Sequence, residues 1–329
     1  MLRVHHVARS RRFVPLVVLA LALSACGPDL GKQNFPRTTV TASSDAVPDG
    51  PIDDPKVSAE VQRTVDPCAL LAGDTVTDIG TPDEDSLSET GLDACSVTVT
   101  DAGGKDLRLR LDLGTSPGIN PQAVGAVEGL PLIEQPSEDD DTVCFVYAMT
   151  SRDPAMAIGF QVTYSGGDPC GAGTTALRKV VAKMHAGPPE QNRPAGSVVP
   201  LDPCALIDPA TATEVLGGDT TGNPAGLHDC YWSGGNATGY LRISDRVVPV
   251  EGEDGVRIDL GGGITAFQKE ANVSGKSCEI AWTHLPTKDG YGEVVKFEYD
   301  NFHDDAANDD ACGKARRVVD TIVPKLPRV

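Results

Sequence analysis

The residue types that most often carry out catalysis or bind metals are sparse in this sequence. No Gly-x-Ser-x-Gly segment is present to expose a serine nucleophile. No Cys-x-x-Cys pair is present, which argues against a thioredoxin-like redox site and against a zinc site. After the first 25 residues the histidines are His185, His228, His284 and His303, whose positions favour surface side chains over catalytic ones. The sequence therefore predicts no catalytic residue, no resident metal and no cofactor.

Two groups of carboxylates would do chemistry only if the fold brought their oxygens together. The acidic segment 300–310 has oxygen ligands of the kind that calcium prefers, but it lacks the glycine and the glutamate that complete an EF-hand loop. We interpret it as a solvated loop. Asp259 and Glu270 are the second group, and a close pair of this kind could hydrolyse an envelope polymer.

Three aromatic residues near the C-terminus are candidates for ligand binding. Trp232, Tyr240 and Trp282 all fall in segments that read as β-strands. They either line an open cleft or fill a hydrophobic core, and large aromatic side chains more often fill a core. We therefore favour the core and keep the cleft as the alternative.

Eight cysteines divide the chain into two similar halves. Asp66-Pro67-Cys68-Ala69-Leu70 recurs as Asp202-Pro203-Cys204-Ala205-Leu206, and each copy opens a block of four cysteines. The intervals between successive cysteines are 27, 49 and 26 residues in the first block and 26, 48 and 34 in the second. This rhythm predicts a duplicated domain, with copies at 64–186 and 200–329 and a proline-rich linker at 187–199.

The elements that would position these residues follow the same order in both copies. An Asp-Pro helix start opens each copy, and a helix after the fourth cysteine closes it, with apolar residues at helical spacing. Between them, segments such as 107–113 alternate apolar and charged residues, as a sheet with one buried face requires. The predicted fold class is α+β: two tandem antiparallel sheets, each flanked by an N-terminal and a C-terminal helix.

Nine cysteines in an acidic chain of few aromatic residues indicate an oxidising compartment. Four cysteines in a domain allow three pairings, and the sequence does not choose among them. We expect a helix-to-strand disulfide at each end of each copy. The expected pairs are Cys68–Cys95, Cys144–Cys170, Cys204–Cys230 and Cys278–Cys312.

The N-terminus predicts export and a lipid anchor. Residues 1–12 are basic, and Phe13 to Leu23 form an apolar run of eleven residues, which is too short to cross a bilayer. This indicates a signal peptide over residues 1–25. The following Leu23-Ser24-Ala25-Cys26 resembles the bacterial lipobox, which implies diacylglycerol on the Cys26 sulfur and acyl chains that bind the lipid bilayer. Residues 26–63 are proline-rich and lack an apolar period, so we interpret them as a disordered tether.

The repeated motifs together resemble an actinobacterial lipoprotein family, the domain of unknown function 3558 family. The resemblance rests on Asp-Pro-Cys-Ala-Leu, on the second cysteine with Trp232 close behind it, on the third strand cysteine and on the closing helix. It covers both copies and is closer in the second. It implies an extracytoplasmic lipoprotein, and it implies no activity or catalytic residue.

The net charge of −19 argues against nucleic acid as a partner, because a strongly acidic surface repels phosphate. We expect a non-enzymatic module of the cell envelope that binds an unknown envelope protein or small ligand on the outer face of the membrane. A passive structural surface lipoprotein is the alternative, and an envelope-polymer hydrolase is a weaker one. Both alternatives predict the same location in the cell and the same disulfides.

Overall fold

The computed structural model describes residues 47–118, 121–235, 237–271, 275–303 and 306–329. The predicted signal peptide, the predicted lipidation site Cys26 and the first part of the predicted tether lie outside these ranges. Within them, no helix is both long enough and apolar enough to span a bilayer.

The first half of the described chain forms one antiparallel sheet of seven strands. The strands are β1 (Thr81–Gly91), β2 (Ala94–Thr100), β3 (Asp106–Thr115), β4 (Gly125–Val127), β5 (Leu130–Pro136), β6 (Val143–Arg152) and β7 (Ala155–Tyr164). Their order across the sheet is β1-β2-β3-β7-β6-β5-β4. The alternation of Leu107 to Leu113 places the leucines in the core and Arg108 at the surface, as predicted.

Three helices accompany the first sheet: α1 (Ala59–Thr64), α2 (Pro67–Leu71) and α3 (Pro169–Ala186). Asp66 begins α2 by accepting hydrogen bonds from the backbone N–H groups of Cys68 and Ala69, both at 2.9 Å. This is the capping role that the Asp-Pro pair predicted. Helix α3 packs on β6 and β7. Its apolar stripe, which includes Leu177, Val180 and Val181, is fully buried.

The second half forms another antiparallel sheet of seven strands. The strands are β8 (Gly222–Pro224), β9 (Asp229–Ser233), β10 (Thr238–Val247), β11 (Val256–Asp259), β12 (Thr265–Ala271), β13 (Lys276–Pro286) and β14 (Tyr291–Asn301). Their order is β11-β12-β13-β14-β10-β9-β8. The helices of this half are α4 (Pro203–Leu206), α5 (Pro209–Leu216) and α6 (Ala311–Ile322).

Four disulfides connect helical segments to strands, and their pairing is the one expected from the sequence. They join Cys68 to Cys95, Cys144 to Cys170, Cys204 to Cys230 and Cys278 to Cys312. The two antiparallel sheets and the disulfides confirm the coarse features of the predicted α+β fold. The buried side chains form two large clusters, one under each sheet, which we call the first core and the second core.

The tether predicted at 26–63 extends too far toward the C-terminus. Residues 55–57 form a 3₁₀ turn that Asp54 caps, and α1 follows with Ser58 as its N-cap. Val57 is fully buried in the first core. Pro55, one of the prolines that suggested disorder, instead starts the short turn, because proline is well suited to the first position of a helix.

The predicted linker 187–199 is packed along its second half. Val198 and Val199 belong to the second core. The carboxylate of Glu293 on β14 accepts hydrogen bonds from the Ser197 hydroxyl at 2.7 Å and from the Val198 N–H at 2.8 Å. Glu293 is itself fully buried, so this end of the linker is fixed to the second sheet.

Candidate functional site

The three aromatic residues proposed for ligand binding do not share a cleft. Trp232 and Trp282 lie in the second core, 2% and 0% exposed. Tyr240 is on the opposite face of the sheet, where its ring stacks under the Arg242 guanidinium, whose carbon lies 5.0 Å from the ring centre. The favoured interpretation, that these residues fill a core, therefore describes the two tryptophans but not Tyr240. The strand period explains the separation, because Tyr240 falls between the core residues Gly239 and Leu241.

The carboxylates Asp259 and Glu270 are not a catalytic pair. Asp259 lies opposite Thr265 in the sheet, and Glu270 is five residues further along β12. At the usual rise of a strand this separates them by about 16 Å, whereas a glycosidase pair needs about 5–9.5 Å. Glu270 is bound instead to Lys276 at 3.1 Å. Hydrolysis by these two residues therefore has no geometric basis.

The histidines lie apart and bind separate partners. His185 Nε2 is 2.9 Å from Asp54 Oδ2, and His284 Nε2 is 2.9 Å from the Gly196 carbonyl. His303 offers its backbone N–H to Asn301. His228 alone is buried, at 4% exposure. Within the described ranges, no three His, Cys, Asp or Glu side chains converge as metal ligands would.

The end of the acidic segment 300–310 is fixed to the sheet by a polar network. Asp309 Oδ2 accepts hydrogen bonds from the Tyr299 hydroxyl at 2.6 Å and from Asn301 Nδ2 at 2.7 Å, and Lys314 Nζ is 2.8 Å from Asp309 Oδ1. Burial opposes ionisation of Asp309, but the bonds from Lys314, Tyr299 and Asn301 together lower its pKa. These partners already satisfy the Asp309 oxygens. Residues 304 and 305 of the segment lie outside the described ranges.

The two halves exchange one leucine each across their junction. Leu92, in the turn between β1 and β2, packs in the second core. Leu227, just before β9, packs in the first core. Leu227 lies against Gly114. This glycine has φ +60, and any side chain at its position would clash with Leu227. Each half thus completes the core of the other, and the junction is a buried interface.

The sequence holds a signal for this exchange in the positions of the two leucines. Leu92 and Leu227 both stand three residues before the second cysteine of their copy, and a glycine precedes each of them. The recurrence marks the two positions as equivalent. The partner of each leucine cannot be read from the recurrence, because that depends on how the copies pack.

A network of polar bonds fixes the junction beside the leucines. Arg63 on α1 donates to the Leu227 carbonyl at 2.9 Å and lies 3.2 Å from Asp202 at the start of α4. Gln191 in the linker donates to the carbonyls of Val65 and Leu92 at 2.9 and 2.5 Å. Arg63 thus joins the two halves directly, and Gln191 joins the linker to the first half, so the two sheets are held in a defined orientation.

One difference between the copies lies in the segment that precedes Asp-Pro-Cys. Counted back from Asp-Pro-Cys, residues 55–64 and 191–200 are equivalent. The first segment contains α1, whose Gln62 bonds to Thr150 on β6 at 3.3 Å. The second covers the equivalent strand position, where His284 bonds to Gly196, but Pro194 and Pro200 prevent a helix from forming. The two segments therefore pack on their sheets in different conformations.

A cleft of about 750 Å³ lies between the two halves. It is lined by 89–92 of the first half, 192–194 of the linker, and Asp245, 286–289 and Tyr291 of the second half. Its volume lies within the range of about 300–1,000 Å³ that is usual for ligand sites, and domain junctions are common places for them. We call it the junction cleft.

The junction cleft combines a fixed floor with an exposed rim. Arg193 in the floor lies 3.1 Å from Asp245 and donates to Gln191 at 2.7 Å. Lys288 and Tyr291 are exposed at the rim, Tyr291 at 48%. The lining therefore presents both charges and one large aromatic ring. Such a surface can bind a polar ligand or a protein segment, and it contains no nucleophile paired with a base.

Comparison with known proteins gives no family assignment. No protein-family model matches the chain, and no curated protein matches it. Among solved structures there is a weak likeness to the crystal structure of the di-domain ARO/CYC StfQ from the steffimycin biosynthetic pathway. The match has 9% sequence identity, covers 80% of this chain and 92% of that chain, and has a TM-score of 0.14. At that TM-score the two folds do not correspond, so the likeness carries no argument.

Proposed function

We propose that this chain is an extracytoplasmic lipoprotein, anchored through Cys26, that binds a small ligand or an envelope protein without catalysing a reaction. The observation that carries the binding role is the junction cleft, an open site between two halves whose orientation is fixed. The lipobox resemblance, the acidic charge and the four disulfides support the extracytoplasmic location. Membership of the domain of unknown function 3558 family is part of the same proposal.

The finer part of the fold belongs to this proposal as well. We take 64–186 and 200–329 as two copies of one ancestral domain, each a sheet flanked by an opening and a closing helix. The equivalent capping by Asp66 and Asp202 supports this, since both accept the N–H of the following cysteine at 2.9–3.0 Å. Equivalent copies offer a simple origin for the leucine exchange.

The anchor is tested by Cys26→Ala in the full chain. The wild-type protein is expected to partition into the detergent phase and to carry acyl groups detectable by mass spectrometry of its N-terminal peptide. The variant is expected to partition into the aqueous phase or to remain uncleaved. A wild-type N-terminal peptide that begins elsewhere and carries no lipid would overturn the anchor.

The binding role is tested by photo-crosslinking in intact cells. A photoreactive residue in place of Lys288, at the rim of the junction cleft, is expected to give a defined adduct. The same residue in place of the exposed Lys105, far from the cleft in a turn of the first sheet, serves as the matched control. Tyr291→Ser should reduce the adduct at 288 several-fold. The proposal fails if 288 and 105 give the same adducts, or if neither gives any.

A further inference from the structure

Two equivalent residues of the two halves face each other at the centre of the junction. Asp93 and His228 each stand two residues before the second cysteine of their copy. Their carbonyls make the same hydrogen bond, accepting from the N–H of Leu113 and of Ile243, both at 2.9 Å. The two side chains approach each other across the junction, where His228 Nδ1 lies 3.8 Å from Asp93 Oδ2.

The hydrogen bonds of His228 determine which of its nitrogens carries the proton. Nε2 lies 3.1 Å from the Val199 carbonyl, which can only accept, so Nε2 carries the hydrogen. Nδ1 is buried and has no hydrogen-bond partner among the described residues. In the neutral imidazole Nδ1 is therefore an acceptor that faces another acceptor, the Asp93 carboxylate. A buried acceptor without a partner is costly, and the facing lone pairs add to that cost.

The other charged groups around His228 already have partners. Those that face it or adjoin it are Arg63 with Asp202 at 3.2 Å, Asp229 with Arg242 at 2.8 Å, and Glu293 with Ser197 and Val198. On the far side of Asp93, Arg110 is bound to Asp112 at 2.8 Å and exerts a weaker attraction on Asp93. Asp93 therefore remains as the carboxylate that a charged His228 would bind.

We propose that Asp93 and His228 form a proton-operated contact that tightens the junction between the two halves in mildly acidic surroundings. A proton from solvent binds Nδ1, the imidazole becomes a cation, and the new N–H donates to the Asp93 carboxylate. The gap of 3.8 Å shortens to hydrogen-bond length, which draws the β1–β2 turn toward the second half. Histidine is the side chain whose charge ordinarily changes in this range of pH.

The contact would also act on the junction cleft, because Leu92 lines that cleft and directly precedes Asp93. This consequence rests on the proposed binding function, whereas the contact itself does not. For that reason the test below measures protonation and stability and uses no ligand.

The experiment compares the thermal unfolding of the wild-type chain and of Asp93→Asn from about pH 8 to about pH 5.5. Acidification should raise the midpoint of the wild type relative to the variant by about 2–4 °C, and the advantage should vanish as the pH rises again. In the background His228→Gln, whose amide can still donate to Val199, Asp93→Asn should give a difference that does not depend on pH. Equal pH dependence of wild type and Asp93→Asn would overturn the proposal.

Two controls and one direct measurement isolate the contact. Asp139→Asn removes an exposed carboxylate, and His185→Gln removes the other histidine–aspartate contact, so neither should abolish the effect. Nitrogen-15 NMR of the wild-type imidazole should show the Nε2-protonated form at high pH and a hydrogen-bonded Nδ1–H at low pH. A His228 ring that stays neutral at about pH 5.5 would refute the proposal even if a variant fails to fold.

Discussion

Asp300 is the residue whose ionisation the fold disturbs most clearly. It lies half-buried on the outer face of β14, opposite Thr238 on one side and Ser277 on the other. Burial and, to a smaller extent, the negative charge of Glu298 raise its pKa to about 6, although the positive charge of Lys296 opposes both. The folded state therefore binds this proton more tightly than the unfolded chain does, and an ionised Asp300 destabilises the fold.

Replacing Asp300 with asparagine should stabilise the protein near neutral pH. The ionised carboxylate is penalised above about pH 6, and the penalty disappears where the group is protonated in both states, below about pH 4. We expect the melting temperature to rise by about 1–2 °C at pH 7.5 after allowance for solvent screening, and to change little near pH 4. Thermal unfolding across this range checks it. Asp139→Asn, at an exposed site, should give no such trend.

At the level of the elements, four disulfides fix helical segments to the two sheets. Each one closes a loop of 26–34 residues between a helical segment and a strand. The short helices α2 and α4 bury few side chains of their own, so the covalent link holds them on their sheets. Helix α3, with 18 residues, has a large buried stripe in addition to its disulfide.

Removing a disulfide should therefore cost stability in a way that depends on its helix. The loss of loop closure predicts about 3–4 kcal/mol for each pair. We expect Cys68→Ala with Cys95→Ala to detach α2 locally, whereas Cys144→Ala with Cys170→Ala leaves α3 packed. Urea unfolding measures the free energies, and hydrogen exchange of the helix amides separates the two cases. Equal protection of α2 and α3 in the two variants would contradict this difference.

Elements with a strong local pattern could be predicted from the sequence, whereas others depend on distant partners. The alternating leucines of β3 and the Asp-Pro starts of α2 and α4 carry local signals. Strand β1 carries none, because Thr81–Gly91 is polar, exposed and bulged at the edge of its sheet. Strand β1 forms because its backbone pairs with the neighbouring strand β2, and its own sequence contributes no strand pattern. Helix α1 was missed for a similar reason, since its neighbouring prolines suggested a tether.

The candidate site could not be predicted from the sequence, because it forms between elements that are distant along the chain. The junction cleft forms where 89–92 of the first half meet the linker and the second half, and Leu92 in its lining packs in the second core. Trp232 and Trp282, two of the three aromatic candidates for ligand binding, are core residues. As large aromatic side chains they could serve in a core or in a binding site, and only the strand register decides which face of the sheet they occupy.

At the scale of the whole molecule, the two halves behave as a dimer within one chain. Each supplies a leucine to the other, and equivalent residues meet at Asp93 and His228. Such reciprocal contacts are the pattern of a two-fold interface, in which the same surface serves both partners. Neither half has a complete core by itself, so the two should unfold together.

This coupling predicts how the leucine variants unfold. Both tryptophans lie in the second core, so their fluorescence reports on the second half, while circular dichroism reports on both. In the wild type the two signals should change at the same urea concentration.

Leu92→Ala and Leu227→Ala should each lower the free energy of unfolding by about 2–4 kcal/mol, since each leaves a cavity in the core of the opposite half. In the double variant the two signals should separate, because neither core any longer receives a leucine from the other half and the Arg63 contacts that still join the halves are polar. Leu109→Ala, deep in the first core and not one of the exchanged leucines, should lower stability while the two signals still coincide. Coincident signals in the double variant would mean that the leucine exchange does not couple the halves.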